Sequence, residues 1–223
     1  MGPAPAPGLF AGVANVIAVV VLLIEFGMLR TALLRDQLRL YAAQSFVVSA
    51  LAAVVAATHA LPELYALAGL SFVLKVVIVP WVVVRLMRGT SEDIAGSSTL
   101  GVASAALVSI AVAGFGFLAV GALHLPSDVL PTTALSIAVA VVLVSFVLMV
   151  VRRDVVSQAI GFFSLENGVS LASLVVAASL PLIFEVAFLF DLLIAVVVFG
   201  VLMRVHHRRS ESLSTNALTR LRG

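Results

Sequence analysis

No cysteine occurs among the 223 residues, which excludes disulfides and cysteine-ligated iron–sulfur clusters within this chain. Charge is scarce too: Asp, Glu, Lys and Arg make up 11% of the residues, and lysine occurs once, at Lys75. The sequence has no glycine-rich phosphate loop, no HExxH pair and no soluble segment able to hold a substrate pocket. What is abundant is apolar surface. Hydrophobic residues make up 62% of the chain, and the mean hydropathy is +1.23. A soluble domain of this length has no use for so much, so the composition predicts an all-α, polytopic membrane helix bundle. The net charge of +2 does not imply nucleic acid. Twelve of the thirteen basic residues are arginines gathered at the ends of apolar runs, where membrane topology accounts for them.

Seven apolar runs are long enough to span a bilayer: residues 9–29, 40–58, 64–86, 100–123, 130–151, 155–179 and 182–205. The opening MGPAPAPG lacks the basic segment of a secretory signal, and the run behind it is long and ends in Glu25 and Arg30, so it reads as a retained first span. Pro62, Pro126, Pro131 and Pro181 fall at segment ends, whereas Pro80 falls inside the third run and predicts a kink. Arg30, Arg35 and Arg39 follow the first run; Arg85 and Arg88 close the third, Arg152 and Arg153 the fifth, and the tail holds the other five. The opposite side carries His59, Glu63, His124 and Asp128 but no Lys or Arg. All twelve arginines therefore agree on an N-terminus outside and a cytoplasmic C-terminus.

Four ionisable residues lie within these runs. Glu166 stands next to Asn167, about 17 Å from the charged cluster Arg152-Arg153-Asp154, near the middle of a layer about 30 Å thick. Lys75 is eleven residues from Leu86, and Asp191 is thirteen before Arg204. These three share one depth to within about 3 Å on three helices. Burying a base and two acids separately is very costly; facing each other or a file of water, they cost less. A mid-membrane row of Lys, Glu and Asp suits lateral proton transfer, because burial brings such groups toward exchange near neutral pH. The competing readings are a protonated Glu166 locked between packed helices, and a static ion pair of Lys75 with Asp191 or Glu166. Glu25, about 8 Å from the charged edge by the same count, either joins the row or snorkels to the headgroups. Glu63 and Glu185 lie near the outer interface and receive no role.

Other features have plain readings. His59 and His124 fall near outer helix ends, a poor placement for a bis-histidine haem. Gly8, Gly12 and the run Ala103, Ser104, Ala105, Ala106 are read as packing surfaces. The basic tail is a positive-inside anchor or a docking segment for a cytoplasmic subunit. Residues 33–46, LLRDQLRLYAAQSF, resemble residues 151–163, VRRDVVSQAIGFF, which suggests a parallel repeat of a three-helix unit. The chain then divides into residues 1–88, a connecting segment 89–128, a second three-helix unit 129–205 and the tail 206–223.

RRDVVSQAIGFFSLENG followed by LFDLLIAVVVFGVLMRVHHRR resembles the K-type membrane subunit of respiratory complex I and the C-type subunit of multisubunit sodium/proton antiporters. With RDQLRLYAAQS and FVLKVVIVPWVVVRL in its first half, the whole chain is similar to the membrane component E of hydrogenase-4-type complexes. By this resemblance Asp191 matches the acid of the K-type third helix, while the K-type glutamate position falls at Phe163, one turn from Glu166. The resemblance implies a non-catalytic integral membrane subunit of a complex-I-like, energy-converting (group 4) hydrogenase-type oxidoreductase in a bacterial or archaeal plasma membrane. Its partners would be other membrane subunits of a complex-I-like or antiporter-like assembly and peripheral redox subunits holding any nickel–iron or iron–sulfur centres; this chain would hold no cofactor. The alternatives are a stand-alone or antiporter-associated secondary ion transporter, and a passive membrane scaffold whose buried charges only lock helices.

Overall fold

The computed structural model describes residues 9–59, 62–87, 98–122, 131–176, 196, 197 and 199–201. Six helices among them are long and apolar enough to cross a membrane. They are α1 (Leu9–Arg30), α2 (Leu34–His59), α3, α4 (Val102–Gly121), α5 (Thr132–Val151) and α6 (Val155–Val176). The third runs as α-helix over Pro62–Ser71, widens to π-helix over Phe72–Ile78 and returns to α-helix over Val79–Met87. All but a few residues of the seventh expected span, the basic tail, most of the 89–99 loop, and Asp191, Glu185, His124, Asp128 and Pro181 lie outside the described residues.

Helix α2 begins six residues before its apolar run does, because a helix continues past the membrane edge into charged residues; Asp36 sits in its first turn. The expected irregularity at Pro80 takes the form of the π-helical segment just before it. A proline has no N–H to give and its ring crowds the carbonyl four residues back, and a wider turn relieves that crowding. The Val79 N–H accordingly reaches back five residues, to the Leu74 carbonyl.

The hairpins α1–α2 and α5–α6 lie side by side and point the same way. At one end Thr133 donates to Asn15 at 2.6 Å, tying the start of α5 to the start of α1. At the other, Arg152 binds the carbonyls of Leu29 and Thr31. Helices α2 and α6 meet at equivalent points one heptad apart: Ser157 donates to Gln37, and Ser164 to Gln44, each at 2.8 Å. Helix α3 packs on α2, and α4 packs on α5.

Small residues set the closest approaches. The buried stripe of α4 is Ala105, Ser109, Ala113 and Gly116. A Cβ on Gly116 would stand 2.6 Å from Leu143 Cδ1. Of the expected packing run, Ala103 and Ser104 are instead exposed and only Ala105 is buried, because a four-residue run covers a full helical turn and only one face of it can meet a neighbour. Among the described residues nothing lies within 4 Å of the missing Cβ of Gly12.

Besides a small cluster of Ala113, Ala140 and Val144 between α4 and α5, the apolar interior is split in two. One core gathers Met28, Leu34, Leu38, Tyr41, Val83, Leu148, Val156, Ile160 and Phe163 at the arginine-bearing end. The other gathers Ala18, Val21, Val48, Leu51, Val55, Leu67, Ala138, Leu171 and Leu174 toward the opposite end. Each of five helices passes from one core to the other through buried polar residues: Glu25 on α1, Gln44 and Ser45 on α2, Ser71 and Lys75 on α3, Ser145 on α5, and Ser164, Glu166, Asn167 and Ser170 on α6.

Candidate functional site: a buried polar belt

This belt is the candidate site, and it has two connected parts. The first is built around Glu25, which is 0% exposed. Its Oε2 accepts a hydrogen bond from Gln44 Nε2 at 2.9 Å and lies in very short contact with the Ser164 hydroxyl. Gln44 also donates to the Val21 carbonyl at 3.3 Å. Asn167 Nδ2 donates to Gln44 Oε1 at 3.0 Å and to Ser45 Oγ at 2.8 Å. Ser145 of a fourth helix, α5, lies near the Glu25 carboxyl with its hydroxyl turned back to the Val141 carbonyl at 2.9 Å.

Glu25 therefore does not snorkel. Its partner Ser164 is nine residues, about 14 Å, inside α6, whose helix and apolar run start together.

The second part lies between α6 and α3. Lys75, 2% exposed, sits in the π-helical segment and donates to Ser170 Oγ at 3.1 Å. Its Nζ is 3.9 Å from Oε2 of Glu166, which is 5% exposed. Ser71 lies beside Ser49 of α2, with 3.5 Å between the hydroxyls. Tyr41 is fully buried one turn from Ser45 on α2, within electrostatic range of Glu166. Helix α6 can serve both parts because Glu166 and Asn167, adjacent in sequence, project about 100° apart.

The structure thus brings together three of the four expected site residues, Glu25, Lys75 and Glu166, on three helices at one level. Asp191 lies outside the described residues. Phe163, the position matched to the K-type glutamate, is buried against Tyr41, with 5.8 Å between the ring centres. Three residues along α6, Glu166 occupies nearly the same side of the helix. The reading of charges alone missed Gln44, Ser45, Ser164 and Asn167, which carry no charge but link the charged groups. Their signal is a heptad of polar residues inside apolar runs, Gln37 and Gln44 on α2 against Ser157 and Ser164 on α6.

At the end of the bundle the structure gives two residues an unexpected task. Arg152 is 8% exposed and donates from Nη2 to the carbonyls of Leu29 at 2.8 Å and Thr31 at 2.7 Å, filling acceptors that the end of α1 leaves open. Burial lowers the affinity of its guanidinium for the proton, and the neighbouring Asp154 carboxylate opposes that shift. Asp154 caps α6, its Oδ1 accepting from the Ser157 N–H at 2.7 Å. Among the described residues no group of three or more His, Cys, Asp or Glu could hold a metal ion.

No family model matches the chain, and no solved structure does. Over 183 residues the chain is 27% identical to hydrogenase-4 component E of Escherichia coli K12, a match covering 82% of this chain and 85% of the relative. Component E of Shigella flexneri matches to the same extent. An uncharacterised protein of Mycobacterium tuberculosis is 44% identical over 69 residues, 31% of either chain. The likeness to hydrogenase-4 component E read from the sequence is thereby shown over most of the chain.

Proposed function

We propose that this chain is an integral membrane subunit of a complex-I-like, energy-converting hydrogenase-type oxidoreductase complex, and that its polar belt is one segment of a lateral proton path at mid-membrane. The chain is inserted with its N-terminus outside and its C-terminus in the cytoplasm of a bacterial or archaeal plasma membrane. Redox centres belong to partner subunits, and other membrane subunits continue the path at either end of the belt. The likeness to component E supports the assembly.

The observation that carries the proton path is the division of the core. Five helices each give up apolar packing at the same level to bury groups that gain or lose protons, or that donate and accept hydrogen bonds. Such burial is expensive in a bilayer and marks ion or proton pathways more often than packing. Glu25, Glu166 and Lys75 supply titratable stations, with Asp191 as the fourth expected from the sequence. Ser164, Gln44, Asn167 and Ser45 form the hydrogen-bonded network around Glu25.

The test is Glu166→Gln, which keeps size and hydrogen bonding but cannot titrate. Inverted vesicles or proteoliposomes containing the complex should show normal subunit content and lose proton translocation. Full translocation by an assembled Glu166→Gln complex would remove Glu166 from the path and leave it a packing residue.

A further inference from the structure

The Glu25 cluster contains one more close polar contact than an ionised carboxylate allows. The donors can be counted. The Gln44 amide has two protons, directed to Glu25 Oε2 and the Val21 carbonyl. The Asn167 amide has two, directed to Gln44 Oε1 and Ser45 Oγ. The Ser164 hydroxyl has one proton and two acceptors in contact, Glu25 Oε2 and Gln44 Oε1. With Glu25 as a carboxylate, one of those oxygen pairs meets lone pair against lone pair, buried away from solvent, which is strongly unfavourable.

A proton on Glu25 fills the deficit. Glu25 then donates to Ser164, Ser164 donates to Gln44, and each contact among Glu25, Gln44, Ser164 and Asn167 has one hydrogen, while Ser145 keeps its proton on the Val141 carbonyl. Turning the Gln44 amide over does not remove the need. Its oxygen would then face Glu25 Oε2 at 2.9 Å, again requiring a proton from Glu25, and would also oppose the Val21 carbonyl.

We infer that Glu25 rests as a neutral carboxylic acid whose proton is held against Ser164, and that Ser164 is the positioning residue that responds when this proton leaves. Once Glu25 is ionised, the single Ser164 proton is drawn from Gln44 to Glu25. Gln44 Oε1 is then held by Asn167 alone, and Asn167 is the residue next to Glu166 on α6. This role of Ser164 rests on the proton-path reading; the resting protonation of Glu25 does not.

The two are separated by measuring them separately. Infrared difference spectra of the isolated complex in lipid, parent against Glu25→Gln at neutral pH, should contain the carbonyl stretch of one neutral carboxylic acid, lost in the variant. In Ser164→Ala that band should move to higher frequency as a hydrogen bond is lost, and Ser164→Thr, which keeps a hydroxyl, should bring it back. Glu25→Gln replaces a neutral donor–acceptor group with another, so the complex should still assemble. Carboxylate bands alone in the parent-minus-variant spectrum would overturn the neutral acid. A neutral-acid band unmoved in Ser164→Ala would overturn the part given to Ser164. Translocation at the parental rate by Glu25→Gln, with the band behaving as described, would sink the proton path through Glu25 and leave the protonation standing.

Discussion

Lys75 and Glu166 face each other across the α3–α6 interface with 3.9 Å between Nζ and Oε2, while the ammonium donates to Ser170 at 3.1 Å. A separation of 3.9 Å is an ion pair without a direct hydrogen bond, whose usual length is about 2.7–3.2 Å. At this distance the attraction between these two groups is electrostatic rather than a bidentate clamp.

Removing one member of a buried pair strands the other, at about 3–5 kcal/mol. Lys75→Met should therefore lower the amount of assembled complex more than the double change Lys75→Met with Glu166→Gln, in which both charges of this pair are removed. Quantifying the subunit in membranes after mild heating checks this. Strictly additive losses would show that the two are not energetic partners.

The membrane class, five of the six described spans to within a few residues and the shared level of Lys75 and Glu166 were legible in the sequence, because apolar run length and distance from arginine are one-dimensional quantities. Helix α2 was legible in its interior but not at its start, where it continues into charged residues. The site was half legible. Glu25 was left open between the row and the headgroups, since a count from Arg30 says nothing of which neighbours a side chain meets. Gln44, Ser45, Ser164 and Asn167 were invisible as a group, because neutral polar residues acquire meaning only when helices from opposite ends of the chain bring them together.

Arg152 and Arg153 read alike in sequence, both as positive-inside residues, and the structure separates them. Arg152 is buried on the end of α1, whereas Arg153 is exposed. Hydrogen bonds to a charged group are worth about 1.5–3 kcal/mol. Arg152→Gln should lower the thermal midpoint of the purified protein by several degrees, at about 2–4 °C per kcal/mol for a chain of this size. Arg153→Gln should change it little. Equal effects would reduce Arg152 to a topological charge.

Orientation can be read at the two ends of α5. Ser98 bridges to Arg152 at the arginine-bearing end, and Thr132 starts the helix at the other. The chain has no native cysteine to confuse the result. Ser98→Cys should react with an impermeant thiol reagent only from the cytoplasmic side, and Thr132→Cys only from outside. Labelling of Ser98→Cys in intact cells would invert the topology proposed from the arginines.

Pro80 offers the last test, because it sits directly after the π-helical segment that carries Lys75. Replacing it with alanine restores an N–H that can bond to the Val76 carbonyl and removes the ring that crowds it, so ordinary α-helical pairing can close over Phe72–Ile78. Losing the extra residue from that turn rotates everything before it by about 100° relative to the rest of α3. Ser71 would turn away from Ser49, now 3.5 Å across the α2–α3 contact, and Lys75 away from Ser170. Ser49→Cys with Ser71→Cys is a reporter, since thiols at positions this close can be oxidised to a disulfide if the backbones allow the geometry. Efficient cross-linking is expected with Pro80 present, much reduced cross-linking in Pro80→Ala, and a parallel loss of proton translocation with the complex still assembled. Undiminished cross-linking in Pro80→Ala would mean that packing around the buried Lys75, and not the proline, holds the π-helical turn open.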